Sequence, residues 1–410
     1  MQNYDVLIVG AGPAGTICSY YLAKNGLEVA LIDKGQLTLE KTCGGGISNY
    51  SLNELPFSLP DFIIEQKIFG ISFIAPNHNV FIKKELNSFG VTVRRNKFDS
   101  FLIEKAIDKG VTYYPCTKIS KIVQFDNSYY LQDKFKGTYL IGADGANSTV
   151  ARIYNIGKKP VGCLGIRAII QLPQEKSESF LLAEDILELY FQRHLYGYGW
   201  VFPLRNSINL GVGVVGNTKN IKKIMLNFAE KCFDLRKLSF KNISMQSHPI
   251  PFLEVPKYLF KDRVLLIGDA AGLVDPVSGE GIHYAIRSGK IAAEALIRDF
   301  DMYGKFSSNH LGNYYANNLK KDVLPNIRVA QSIRKFMEMF VIHHMDFWFY
   351  LMKRNPFLLN FVPELATSND YYKVYIKTLR NLPLILIKTL KKTNGMQGYT
   401  FYEKHPRNWN

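Results

Sequence analysis

The feature that most constrains the fold is an apolar run near the N-terminus that passes directly into glycines. Residues 4–9 read YDVLIV, the next six read GAGPAG, and the helical pattern TICSYYLAKNG follows. This order predicts a strand, a tight turn and a helix, with Gly10, Gly12 and Gly15 in the spacing GxGxxG. The first glycine permits the turn, the second lets a pyrophosphate approach the backbone, and the third lets helix and strand pack closely. The sequence therefore predicts a dinucleotide site at a helix N-terminus.

Carboxylates follow three further strand-like runs. EVALID ends in Asp33, an acid at the distance where a side chain accepts hydrogen bonds from an adenosine ribose. GTYLIGADG reaches Asp144, and DRVLLIGD reaches Gly268 and Asp269. Because open α/β sheets bind ligands beyond the carboxyl ends of their strands, we expect these segments to meet at one edge of a sheet.

Composition restricts the class of protein without choosing a partner. A chain of 410 residues with 47% hydrophobic content can bury the core of one large or two interleaved domains. The net charge of +16 suits nucleic acid, acidic lipid or a charged cofactor. No apolar run reaches the ~20 residues that span a bilayer, and the N-terminus lacks the pattern of a secretion signal. We therefore expect a cytoplasmic protein that is soluble or peripheral at the inner face of the membrane.

The cysteines favour free thiols over disulfides or a metal site. They are odd in number and far apart, and they form no CxxC pair. We expect a reducing compartment and no bound metal. The five are Cys18, Cys43, Cys116, Cys163 and Cys232.

The three motifs in this order resemble the flavoprotein superfamily of the p-hydroxybenzoate hydroxylase fold over roughly residues 1–330. The resemblance implies non-covalent FAD, an α/β fold and a discontinuous Rossmann-like FAD-binding domain at 1–160 and 256–330, with short excursions near 65–95 toward the substrate domain. An antiparallel-sheet substrate domain is inserted at 161–255, where strand-like runs alternate with turns, and a helical region follows at 331–410. The implied FAD contacts are Gly10, Gly12, Ala14, Gly15, Asp33, Lys34, Cys43, Gly44, Arg95, Asp144, Gly268, Asp269, Gly279, Gly281 and Ile282.

Two segments resemble a narrower group, the geranylgeranyl reductase family. KTCGGGIS is similar to that family's K-P-C-G-G-G-L, and YGYGWVFPL matches its Y-x-W-x-F-P element. The resemblance implies reduction of geranylgeranyl double bonds in a prenyl lipid, quinone or prenyl diphosphate by hydride transfer from reduced flavin. It implies a catalytic segment of Cys43, Gly44 and Gly45, in which glycines let the backbone approach the flavin and the thiol gates flavin movement or joins a proton path. The implied substrate pocket is Tyr198, Trp200, Phe202 and Pro203.

Two other functions share parts of this pattern. FAD-dependent monooxygenases or halogenases have the same three motifs, but the C-G-G-G and Y-x-W-x-F-P elements argue against them. A non-enzymatic prenyl-binding escort protein has a related architecture, but the intact glycine-rich loop and Asp269 argue against it. No second GxGxxG follows a strand, so the electron donor stays open between transiently bound NADPH and a reduced ferredoxin. No nucleic-acid partner is implied.

The C-terminal part is helical, aromatic and basic in pattern. Residues 331–392 carry ten Lys or Arg side chains against four acids, with apolar residues at helical spacing between them. Such helices predict peripheral contact with acidic lipid, a cap over the substrate cavity, or both.

Overall fold

The computed structural model describes residues 1–36, 40–77, 79–157, 163–172, 183–192, 196–216, 218–234, 244–251, 258–303, 309–341, 344–354, 373 and 399–402. The strands are β1 Gln2–Val9, β2 Val29–Ile32, β3 Gly46–Ser48, β4 Ile64–Ile68, β5 Gly70–Ile74, β6 Val80–Lys84, β7 Gly90–Val93, β8 Thr112–Tyr114, β9 Ile122–Phe125, β10 Ser128–Leu131, β11 Phe135–Gly142, β12 Cys163–Gln171, β13 Ile186–Tyr190, β14 Gly197–Leu204, β15 Ser207–Val215, β16 Gln246–Pro249, β17 Phe260–Lys261, β18 Val264–Leu266 and β19 Tyr399–Tyr402. The helices are α1 Pro13–Lys24, α2 Asn49–Asn53, α3 Arg95–Ile107, α4 Thr149–Tyr154, α5 Ile221–Asp234, α6 Ile282–Tyr303, α7 Asn309–Asp322, α8 Leu324–Phe336 and α9 Met345–Arg354, with a 3-10 turn at Gly268–Ala271 and a π-helix at Met337–Val341.

The first sheet carries the glycine-rich motifs. Its order is β17-β18-β11-β1-β2-β8, and β1 runs parallel to both β2 and β11, with Val9 opposite Ile32 and Gly142. The β1 strand is apolar because both faces of the sheet are covered; its residues from Val6 to Ile8 are fully buried. The carboxyl ends of β1, β2, β11 and β18 therefore lie at one edge, as expected. This confirms the predicted α/β fold with a Rossmann-like sheet.

The second sheet is mostly antiparallel and has the order β16-β12-β15-β14-β13-β5-β6-β19. One face packs on α5, where Met225 and Phe228 are buried against Val201 and Leu210. Strands β5 and β6 join this sheet from the earlier part of the chain, beside β13. A three-stranded sheet, β3-β7-β4, brings residues 46–48 next to it. The domain boundaries drawn from the sequence stay a prediction.

The C-terminal segment is helical from α8 to α9, as predicted, and then contributes a strand. Tyr399–Tyr402 pairs antiparallel with β6, a pairing that the sequence does not predict. Most of 355–398, including Pro356, Pro363 and Pro383, lies outside the described residues. In the described part of the chain, no helix is long and apolar enough to cross a membrane.

Candidate active site

One cavity of about 1290 Å³ is lined by the carboxyl edge of the first sheet and by one face of the second sheet. Most of the residues predicted to form a site line it: Gly10, Gly12, Ala14, Asp33, Lys34, Cys43, Gly44, Gly45, Arg95, Asp144, Asp269, Gly279, Gly281, Ile282, Tyr198, Trp200 and Phe202. Gly15, Gly268 and Pro203 do not. A Cβ on Gly15 would lie 2.0 Å from the Gly10 carbonyl oxygen, and one on Gly268 would lie 2.8 Å from the Ala14 methyl, so both glycines serve close packing beside the cavity.

The glycine-rich loop has the division of roles that its spacing predicts. Gly10 has a φ of +108°, and a Cβ there would lie 2.2 Å from the Ala143 carbonyl oxygen, so only glycine fits the turn. Gly12 differs, because the nearest atom to a Cβ there would be Lys41 Nζ at 3.9 Å. Open space thus lies directly in front of the N-terminus of α1, where unpaired amides attract an anion. The loop fits a pyrophosphate.

The three predicted carboxylates have different partners. Asp33 accepts hydrogen bonds from the amides of Ala11 and Gly35, each at 2.7 Å. Asp144 accepts from the Thr149 amide at 2.6 Å and from the Ser148 hydroxyl, so its carboxylate caps α4 at the cavity edge.

Asp269 alone of the three keeps its carboxylate oxygens free. No described residue donates a hydrogen bond to them, and the side chain lines the cavity. Burial raises the pKa of Asp269, while Arg95 and Lys41 oppose the rise. A carboxylate in this position can accept hydrogen bonds from ligand hydroxyls.

Arg95 lies in the cavity wall but is held by an acid. Its Nε and Nη2 each donate to Asp99 at 3.0 Å, and Lys41 Nζ lies 2.8 Å from the same carboxylate. Burial alone would raise the pKa of Asp99, yet the two cations hold it below its ordinary value. Arg95 also interacts with the side chain of Cys43. The cluster keeps two positive charges beside the glycine-rich loop.

The thiol segment, residues 43–46, passes close to an aromatic ring. A Cβ on Gly44 would lie 2.8 Å from the Phe202 ring, and one on Gly46 would lie 3.3 Å from it. Gly45 has a φ of +79°, and a Cβ there would lie 2.4 Å from the Val93 carbonyl oxygen. The sequence attributes these glycines to the approach of a flavin; the neighbour that the structure identifies is Phe202 of the second sheet.

The aromatic wall consists of Tyr198, Trp200 and Phe202, which share one face of β14 because strand side chains alternate. Successive ring centroids are 6.3 and 6.5 Å apart. The Tyr198 hydroxyl donates to the Ser278 carbonyl, and burial raises its pKa far above its ordinary value. Pro203 faces the other way, and its carbonyl accepts from the Thr92 hydroxyl at 2.6 Å. The strand thus presents three aromatic rings, without Pro203, to the cavity.

The far part of the cavity is apolar. The second sheet contributes aliphatic and aromatic side chains, and α8, the π-helix and α9 form the facing wall. The apolar lining there includes Ile71, Phe73, Leu187, Leu189, Phe191, Phe336, Met337, Val341, Met345 and Trp348. The C-terminal helices therefore line the cavity, in agreement with the cap interpretation of their sequence.

Two buried polar residues that the sequence motifs do not include hold the approach to the thiol segment. Arg167 is 3% exposed and donates to Glu40 Oε2 at 3.0 Å and to the Lys41 carbonyl at 2.9 Å. Asn209, also 3% exposed, donates to the carbonyls of Cys43 and Gly44. Each is the one polar residue within an apolar run, Arg167 in LGIRAII and Asn209 in INLGVGVV, and that was the available signal.

Glu280 is a further carboxyl in the lining that no motif predicts. It lies between Gly279 and Gly281, and its Oε1 accepts from the hydroxyls of Ser48 at 3.1 Å and Ser51 at 3.2 Å. Burial, and then the charge of Asp275, raise its pKa. Glu280 thus links the turn before α6 to the end of β3 and to α2, which follow the thiol segment.

Comparison with known proteins agrees with this geometry. A profile of the NAD(P)-binding Rossmann-like domain matches residues 8–66. Among solved structures, a geranylgeranyl bacteriochlorophyll reductase-like protein from Thermoplasma acidophilum has a TM-score of 0.78 at 21% identity, covering 95% of this chain and 98% of that chain. A flavin-dependent brominase has a TM-score of 0.68 at 19% identity, covering 93% of this chain and 100% of that chain. At these identities the likeness is one of fold.

Sequence relatives carry the comparison further. A chloroplastic geranylgeranyl diphosphate reductase from Arabidopsis thaliana is 32% identical over 357 residues, covering 82% of this chain and 74% of the relative. A digeranylgeranylglycerophospholipid reductase from Methanosphaera stadtmanae is 28% identical, covering 81% of this chain and 85% of the relative. Identity of this extent, with both signature segments facing one cavity, shows that the chain belongs to the geranylgeranyl reductase family of oxidoreductases.

Proposed function

We propose that the protein is an FAD-dependent oxidoreductase that reduces geranylgeranyl double bonds in a prenyl lipid, quinone or prenyl diphosphate. The observation that carries this proposal is the continuity of the cavity. One end has the glycine-rich loop and the free carboxylate of Asp269, the other end is apolar, and the thiol segment lies between them. A prenyl chain and a dinucleotide can therefore reach the same place.

FAD fits the polar end of the cavity. The space before Gly12 would hold the pyrophosphate, Asp33 would accept hydrogen bonds from the adenosine ribose, and Asp269 would accept them from the ribityl hydroxyls. The turn through Gly279 and Gly281 leads into α6 at the cavity lining. The unpaired amides at the N-terminus of α6 would attract the polar edge of a flavin ring. Bound and reduced FAD supplies a hydride.

The protein's own side chains prepare the apolar end. The aromatic wall and the C-terminal helices exclude water from a prenyl chain, which strengthens the remaining polar interactions. Cys43 has a small Sγ where the two parts of the cavity meet, where it would gate the movement of the flavin or join a proton path. The electron donor is NADPH at the open cleft or a reduced ferredoxin drawn to the basic surface.

Binding of FAD tests the polar end. The purified protein is expected to bind one FAD per chain, and Asp269→Ala is expected to weaken binding by about tenfold to a hundredfold, since a charged acceptor is lost. Gly12→Val is expected to abolish binding because its side chain fills the pyrophosphate space. Fluorescence titration with FAD measures both. Asp108→Ala, whose carboxylate is 60% exposed, is the matched control; wild-type affinity in Asp269→Ala would refute the assignment.

Reduction of a prenyl substrate tests the reaction. The FAD-loaded protein, reduced with dithionite under anaerobic conditions, is incubated with geranylgeranyl diphosphate, a geranylgeranylated quinone and a digeranylgeranyl phospholipid. Mass spectrometry is expected to find two added hydrogen atoms for each double bond reduced in at least one of them. If the substrates keep their mass under anaerobic conditions and gain an oxygen atom when air is admitted, the protein is instead a monooxygenase.

The same assay tests the thiol. Cys43→Ser is expected to retain FAD and to lower turnover or change which double bonds are reduced. Cys116→Asn is the matched control, because Cys116 is exposed and its φ of +52° suits asparagine. Equal turnover and an equal product pattern in Cys43→Ser and the control would show that the thiol only fills space.

Peripheral contact with the membrane at its cytoplasmic face is the second part of the proposal. Next to the cavity lining, the C-terminal helices leave large apolar side chains in solvent: Met339, Phe340, Phe347 and Tyr350 are 47–65% exposed. Aromatic side chains suit the headgroup region, and the exposed Lys335 lies beside them. An enzyme that extracts a prenyl chain from a bilayer gains from such a surface.

Vesicle sedimentation tests this surface. The protein is expected to bind vesicles of phosphatidylcholine and phosphatidylglycerol, less strongly as salt screens the charges. The double substitution Met339→Ser, Phe340→Ser is expected to weaken binding by at least about tenfold, because the apolar contact is lost. Phe125→Ser, which removes a 69% exposed ring from β9, is the control. Equal binding of both variants would exclude the helices from the contact.

A further inference from the structure

Asn209 connects the thiol segment to the aromatic wall through three hydrogen bonds. Its Nδ2 donates to the Cys43 carbonyl at 2.7 Å and to the Gly44 carbonyl at 2.9 Å. Its Oδ1 accepts from Trp200 Nε1 at 3.1 Å. A primary amide has two donor hydrogens and one acceptor oxygen, so these three contacts use both of its hydrogens and its oxygen.

The partners of Asn209 are themselves fixed. The indole of Trp200 lies against β15, where a Cβ on Gly211 would come within 2.1 Å of it. Gly44 lies against the Phe202 ring, and Gly45 donates from its amide to Cys43 Sγ at 3.4 Å. Because Asn209 is 3% exposed, water does not readily replace its amide. The orientation of the Cys43 backbone therefore depends on a side chain of the second sheet.

We propose that Asn209 is a positioning residue that holds the Cys43 thiol in register with the aromatic wall. The two carbonyls that Asn209 holds directly follow the Cys43 side chain, and its amide oxygen holds Trp200, so one side chain sets the thiol's orientation relative to the wall. The expected effect of losing Asn209 on turnover rests on the proposed function. The expected effect on the orientation and protection of the thiol does not.

Alkylation of the thiol gives a readout that needs no substrate. The full chain, with and without FAD, is treated briefly with iodoacetamide, and peptide mapping gives the rate at Cys43 relative to the exposed Cys116 in the same sample. Asn209→Ala is expected to change this ratio by about tenfold, toward faster alkylation, since local opening becomes easier when two anchoring hydrogen bonds are lost. Asn209→Gln, which keeps an amide, is expected to restore part of the protection. Asn220→Ala, at an exposed position before α5, is the control.

Steady-state assays complete the test. Asn209→Ala is expected to lower kcat at saturating prenyl substrate while its affinity for FAD stays at the wild-type value. An unchanged alkylation ratio in both Asn209 variants would overturn the proposal. A changed ratio in a protein whose wild type reduces no prenyl substrate would leave the positioning role standing and refute the proposed function. If Asn209→Ala does not fold, Asn209→Asp replaces it, because it keeps an acceptor for Trp200 Nε1 and removes the amide donor to the Cys43 and Gly44 carbonyls; an unchanged ratio in that variant would also overturn the proposal.

Discussion

The contact between the backbone of Gly44 and Gly46 and the ring of Phe202 is the constraint on which the site depends. No side chain fits between them, since a Cβ on Gly44 would lie 2.8 Å from the ring. The contact joins the segment that follows the first two strands of the Rossmann-like sheet to the middle of the antiparallel sheet. The nucleotide end and the apolar end of the cavity are continuous because this contact brings the two sheets together.

Polar groups fix the contact in position where apolar packing alone would let it slide. Asn209 and Arg167 of the second sheet donate hydrogen bonds to residues 40–44. Asp99 forms ion pairs with Arg95 and Lys41 beside the glycine-rich loop. Leaving one such buried group without a partner costs about 1–3 kcal/mol, so each bond specifies one alignment of the two sheets. Lys41 Nζ also lies 3.9 Å from where a Cβ on Gly12 would be, so the cluster adds positive charge beside the N-terminus of α1.

The sequence predicts the parts of this site that local chemistry determines. The turn at Gly10, the acid at Asp33 and the alternation of Tyr198, Trp200 and Phe202 follow from short-range backbone rules, and each is found where expected. Asp144 is a partial exception, because helix capping and ligand binding leave the same pattern of an acid after a strand. Asn209 stands out as a polar residue in an apolar strand, but its long-range partners leave no local pattern; neither do the partners of Glu280 nor the pairing of Tyr399–Tyr402 with β6, so these could not be predicted.

The central claim is that the close approach at Gly44 forms the chamber in which reduction takes place. The most direct measurement compares prenyl reduction by Gly44→Ala and Gly213→Ala, both loaded with FAD. A methyl group at Gly213 also faces the cavity, but its nearest neighbour would be the Trp200 ring at 3.9 Å, an ordinary contact. The account predicts that both variants bind FAD as the wild type does, and that only Gly44→Ala loses most of its turnover, since its methyl group displaces the Phe202 ring. Equal turnover in the two variants would contradict it.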